Sequence, residues 1–163
     1  MFQIILLCTV LGNILARPLS NNRQVAASLT EAPDTVVTDE QVGAWVEVIK
    51  TMRDTSLSKE KRAEKISQLL AGNWNAPPEY VKNLVEASDY EWRLVNNASS
   101  KVKEVYNKSY DLKSDPKLYK MDPDKRIAEG EKLLNSLSEA EKKELAEIRE
   151  KSVKKVAELR RQG

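Results

Sequence analysis

The chain has no histidine, one cysteine, five glycines and one phenylalanine in 163 residues. Without histidine it lacks the commonest general base at neutral pH and a favoured zinc ligand. The lone cysteine, Cys8, cannot form an intrachain disulfide, and it lies in an apolar leader whose removal would leave no thiol nucleophile. No glycine-rich loop able to cradle a phosphate is present. Neither sign of charge prevails: 27 Lys and Arg against 25 Asp and Glu leave a net +2, which gives no ground for a nucleic-acid partner. These absences argue against an enzyme and require the fold to hold by packing alone.

The one long apolar run is Phe2 to Leu15, ending at Ala16 before Arg17 and Pro18. It is shorter than the ~20 residues of a bilayer span. An apolar core followed by a small residue and a polar chain reads as a secretory signal over residues 1–16, although no Lys or Arg precedes it. The expected location is secreted and extracellular, with no membrane span after signal removal. Residues 17–37 include Pro18, Asn21, Asn22, Ser28, Thr30 and Pro33 and show no lasting period, so they read as a disordered leader.

Residues 38–163 carry the spacing of helices, and Glu, Lys, Ala and Leu dominate the second half. Thr38 and Gln41 have capping-box spacing, and Val42, Trp45, Val46, Ile49 and Met52 then form one apolar face. Ser58 caps a second helix with Ala63, Ile66, Leu69 and Leu70 inward, closed by Gly72. No Gly or Pro interrupts residues 79–115, where apolar and small residues recur every three or four positions. This segment is one long central helix, or two with a joint near Asn96 and Asn97. Asp122 and Pro123 open a further helix, in which Gly130 either weakens the helix or admits a close neighbour. Ser138 and Glu141 form a second capping box before Leu145, Ile148, Ser152, Val156 and Leu159. The expected architecture is an all-α bundle of about five helices with one long central helix and no disulfides.

Two stretches read alike. Asp54-Thr55-Ser56-Leu57 and Asp115-Pro116-Lys117-Leu118 each precede a capped helix ending in paired leucines, Leu69-Leu70 and Leu133-Leu134. They are either related helical hairpins flanking the central segment or the ordinary likeness of amphipathic helices.

Asp111, Asp115, Asp122 and Asp124 form the one candidate ion site, since calcium and magnesium take carboxylate oxygens. Their spacing does not match a helix-loop-helix calcium loop, and Lys113, Lys117 and Lys120 interleave with them, so helix caps in a polar loop are the alternative. Asn97-Ala98-Ser99 and Asn107-Lys108-Ser109 have the form of glycosylation acceptors. Trp45, Trp74, Trp92, Tyr80, Tyr90 and Tyr106 either fill the core or line a ligand cavity between helices.

The order Trp45-Val46-Glu47-Val48-Ile49, Asp54-Thr55-Ser56-Leu57-Ser58, Leu69-Leu70, a long central segment, Asp115-Pro116-Lys117-Leu118 and Leu133-Leu134-Asn135-Ser136-Leu137-Ser138 resembles the SXP/RAL family of nematode secreted helical antigens. The likeness covers about residues 40–148. It departs at Leu69-Leu70, where the family tends to carry a Trp, and in the stretch from Leu118 to Asp122. The resemblance implies an excreted helical antigen with a domain described as cation-binding and no enzymatic activity. Together these readings predict a non-enzymatic antigen or effector that binds an extracellular or host protein, with calcium or magnesium as a weak ligand. The alternative is a carrier of small lipids, a fatty acid or a retinoid, in a helical cavity.

Overall fold

The computed structural model describes residues 21–30, 36, 38–74 and 76–162. The expected signal, residues 1–16, lies outside them. All described secondary structure is helical, in eight helices: α1 (Asn22–Leu29), α2 (Asp39–Met52), α3 (Lys59–Ala71), α4 (Pro78–Asn96), α5 (Ser100–Lys113), α6 (Pro116–Tyr119), α7 (Pro123–Asn135) and α8 (Glu139–Gln162).

The helices start where local chemistry satisfies their free amides. Thr38 and Gln41 close a reciprocal capping box on α2, and Ser58 accepts from the Lys61 amide at the head of α3. Ser138 and Glu141 do the same for α8: the Ser138 amide donates to Glu141 Oε2 at 2.8 Å and the Glu141 amide to Ser138 Oγ at 3.4 Å. Pro123 opens α7 as its first residue, where a missing N–H costs nothing.

The count exceeds the expected five for three reasons. The central segment divides at Asn97–Ser99, where the chain leaves the helix after Asn96 and restarts at Ser100. Polar Asn96, Asn97 and Ser99 occupy that joint, and Ser99 donates its amide to Glu144 Oε1 of α8 at 2.9 Å, a bond unavailable inside a helix. The second addition is α6, a single turn. The third is α1, and it corrects the reading of residues 17–37 as a disordered leader over the part described.

That helix is only eight residues long, too short to persist alone. It is ordered by docking. Val25, Ala26 and Leu29 are buried with Val102, Val105 and Leu134 in one apolar cluster. The carbonyls at its C-terminal end find side-chain donors: Ser109 Oγ donates to Leu29 O and Lys113 Nζ to Ser28 O. Thr30 Oγ1 donates in turn to Arg126 O of α7 at 2.7 Å. The apposition of α1 and α7 is so close that a Cβ on Gly130 would lie 2.0 Å from the Ala26 carbonyl oxygen. Gly130 is therefore the close-approach glycine of the two alternatives.

Two apolar clusters fill the interior. One joins α2, α3 and the first half of α4, with Trp45 and Trp74 edge to face at 6.1 Å. The other joins α1, α5, α7 and α8 to the end of α4. Tyr110 packs against both and donates its hydroxyl to Ile49 O at 3.1 Å. The tryptophans at 45 and 74 thus serve the core, as does Tyr106, while Tyr80, Tyr90 and Trp92 are half-buried.

Two glycine substitutions separate packing from helix propensity. Gly130→Ala gains about 1 kcal/mol of intrinsic helix preference but meets immovable backbone, a clash of the kind that costs about 1–3 kcal/mol or more. A net fall in denaturant midpoint is expected. Gly43, inside α2, has nothing within 4 Å of the new Cβ, and Gly43→Ala is expected to raise stability by about 0.5–1 kcal/mol. Paired urea melts check both; a stable Gly130→Ala variant would show that α1 does not sit as described.

Candidate functional site

The four aspartates of the expected ion site are not gathered. Asp115 is the N-cap of α6 and accepts from the Lys117 amide at 2.9 Å. Asp122 lies 3.5 Å from Lys125, and Asp124 lies 3.2 Å from Arg23 of α1. Asp111 is exposed on α5, where it lines a shallow cleft with Asp115, Lys108 and Lys132. Among the described residues no group of three or more Asp, Glu, His or Cys side chains is placed to hold a metal. Interleaved lysines and the demands of two closely spaced helix starts draw the acids apart.

The paired stretches do share a geometry. Asp54 and Asp115 each accept from the backbone amide two residues on, and the Leu57 and Leu118 amides return to the Asp54 and Asp115 carbonyls at 3.2 and 3.1 Å. The likeness ends there. Helices α3 and α4 pack on each other, whereas α7 packs chiefly on α1. The two glycosylation acceptors also differ. Asn97 is exposed in the α4–α5 turn. Asn107 lies on α5 with its Oδ1 accepting from Arg53 at 2.8 Å, and the hydroxyl of its partner Ser109 is buried against Leu29 O.

Charged groups inside the bundle sit on α4. Glu91 pairs with Arg149 of α8, the two side chains 15% and 6% exposed. Burial pushes the Glu91 carboxyl up, but Arg149, Tyr106 and Lys113 outweigh it and hold the group below its ordinary value. Burial, with Glu91 beside it, raises the Tyr106 phenol well above its ordinary value, so it stays a neutral donor. Asp89 binds Arg62 of α3 through two bonds of 2.7 and 2.8 Å, and Arg62 also donates to Met52 O at 2.7 Å. The Arg53 guanidinium lies 4.0 Å from the Trp92 ring centre and 4.3 Å from that of Tyr110. Every one of these groups is engaged by a structural partner.

A groove opens along the first half of α4. Both α3 and α8 pack on α4 more than on each other, which leaves a channel of about 680 Å³ between them. Its floor is Ala63, Val85 and Leu159. Glu60 and Glu64 of α3 stand on one side, and Lys82 of α4 and Lys155 of α8 on the other. Lys59 reaches across to pair with Glu86. Asn83 and Leu159 also line an adjoining, mostly apolar pocket of about 50 Å³ with Tyr80, Leu84, Ala87, Val156 and Arg160. Sequence reading missed this groove, because its walls come from residues up to a hundred positions apart. The signal that was present is small Ala63 and Ala87 on otherwise bulky inner faces.

No family model matches the chain, and neither the curated proteins nor the solved structures yield a match. Among the described residues no helix is long and apolar enough to cross a membrane.

The buried Glu91 carries a pH dependence. Its folded pKa is depressed below 4.5, so its stabilising contribution is present above the unfolded pKa and is lost as pH falls through the folded value. Glu91→Gln leaves Arg149 uncompensated and is expected to cost about 3–5 kcal/mol at pH 7. Stability of the variant should fall less steeply below pH 4.5 than that of the parent. Urea midpoints measured from pH 7 to pH 2 check this; parallel curves would show that the pair is not formed.

Proposed function

We propose that the chain is an exported, non-enzymatic helical binding protein, an excreted antigen or effector that engages a host or extracellular partner. The observation that supports it is the α3–α4–α8 groove, an apolar floor with opposed charged sides in a bundle whose interior ionisable groups are all tied into structural pairs. The lack of histidine favours binding over catalysis. The leader over residues 1–16 supports export, and the likeness to SXP/RAL antigens fits a protein released to the exterior.

Export and binding are tested separately. Expressed from Met1 in a eukaryotic secretory host, the chain is expected in the medium with Arg17 as its first residue; retention in the cells with Met1 intact overturns the export reading. Incubated with extracellular fluid and recovered, the protein is expected to show a bound mass in native mass spectrometry. Ser67→Trp, which places a large ring in the groove from a half-buried position, should lose that mass. An identical bound mass on the variant would move the binding surface elsewhere.

A further inference from the structure

We infer that the groove and its adjoining pocket form a site for a single-chain anionic amphiphile, of the chemistry of a long-chain fatty acid. This rests on the reading of the groove as a binding surface and names the ligand class for it.

Three observations converge. The pocket is the apolar end. Tyr80, Leu84, Ala87, Val156 and Leu159, with Asn83 and Arg160, line about 50 Å³ whose exposed surface is mostly apolar, space for the last few carbons of an alkyl chain. The groove is the long part. At about 680 Å³ it falls in the range of ~300–1,000 Å³ typical of small-molecule sites. The two adjoin, with Asn83 and Leu159 lining both. A linear chain fits this shape better than a compact ring system, which the narrow end excludes.

The charges place the head group. Of the groove's acids, Glu60 and Glu64 stand on α3, Glu60 bonded at the helix start to Ser58, and Glu86 of α4 is engaged by Lys59. The α4–α8 side, next to the pocket mouth, carries Lys82 and Lys155. Lys82 has only a long contact of 3.8 Å with exposed Glu79. Lys155, half-buried, forms no ion pair with a described residue. A carboxylate within reach of both ammonium groups, above an alkyl chain that displaces water from Val85 and Leu159, satisfies the charge and the apolar floor together. A basic or uncharged head would bring no counter-charge to Lys155.

The test is a fluorescence titration with a dansyl-labelled undecanoic acid, followed by displacement with palmitate, its methyl ester, hexadecyltrimethylammonium and a single-chain phosphocholine lipid, all below their critical micelle concentrations. Saturation at one probe per chain is expected, with palmitate displacing it and the ester and the ammonium compound weaker by about tenfold or more. Two variants localise the site. Ala87→Trp fills the pocket and should abolish saturation, with circular dichroism checking the fold. The double variant Lys82→Glu/Lys155→Glu changes one exposed and one half-buried position outside the core and should reverse the preference between palmitate and the ammonium amphiphile, with circular dichroism again checking the fold.

Absence of saturable binding overturns the proposal. So does equal affinity for all heads, tighter binding of the phosphocholine lipid, or a double variant that keeps the parent's preference. If Ser67→Trp loses a bound polypeptide from extracellular fluid while no amphiphile saturates the parent, the groove is a partner surface and the lipid assignment alone fails.

Discussion

The bundle depends on two charged pairs that fix α3 and α8 to α4. Asp89 grips Arg62 of α3 through a two-pronged contact, and Glu91, two residues on, holds Arg149 of α8. Apolar packing alone leaves such helices free to slide or rotate at little cost, because Leu, Val and Ile contacts are interchangeable along a face. A buried ion pair is a poor source of net stability but a strict one in geometry, since a shifted partner leaves an unpaired charge in the interior. The pairs therefore set register, and the apolar clusters supply most of the driving force. For a chain with a single cysteine and no crosslink available, this division of labour gives one arrangement rather than several.

At the other side of the bundle the same selection is made by shape. Helix α1 has no ion pair in the core; its peripheral contact is Arg23 with Asp124 and Glu131. What fixes it is the absence of a side chain at Gly130, which lets the Ala26 carbonyl lie against α7. The donors Ser109 and Lys113 then meet the carbonyls that end the helix. An eight-residue segment with low helix tendency acquires order only because a groove of matching depth exists.

That contrast explains what could be read from the sequence. Helix starts are local chemistry within four residues, so Thr38 with Gln41, Ser58, and Ser138 with Glu141 were legible, as were the apolar faces they open. The joint at Asn97–Ser99 was foreseeable as one of two choices, and the decisive contact, Ser99 to Glu144, spans 45 positions. Helix α1 was illegible because its stripe of Val25, Ala26 and Leu29 is too short to display a period. The aspartates at 111, 115, 122 and 124 are close in sequence, yet a helix cap takes Asp115, Lys125 pairs with Asp122 and Arg23 of α1 with Asp124. The groove had no local trace beyond two alanines, since its walls are three helices brought together by distant pairs.

The position of those pairs also explains why a groove persists. Helix α8 runs antiparallel to α4, since Arg149 meets Glu91 while Leu159 meets Asn83, and α3 meets the same stretch of α4 through Lys59 with Glu86 and Arg62 with Asp89. The clamp thus grips residues 86–91 of α4, and the groove also takes in Pro78, Lys82 and Asn83 nearer the start of the helix. From Arg149 to Leu159 is about 15 Å of helix at ~1.5 Å per residue. Over that lever a change of a few degrees in the crossing of α8 on α4 moves the groove wall by about an ångström. At the far end Asn83 donates to Leu159 O at 3.5 Å, and Leu159 packs against the groove floor. The crossing of α8 on α4 is thus set at the buried Glu91–Arg149 pair, and the width of the groove follows from it, so the same pair that fixes helix register also fixes the shape of the cleft beside it.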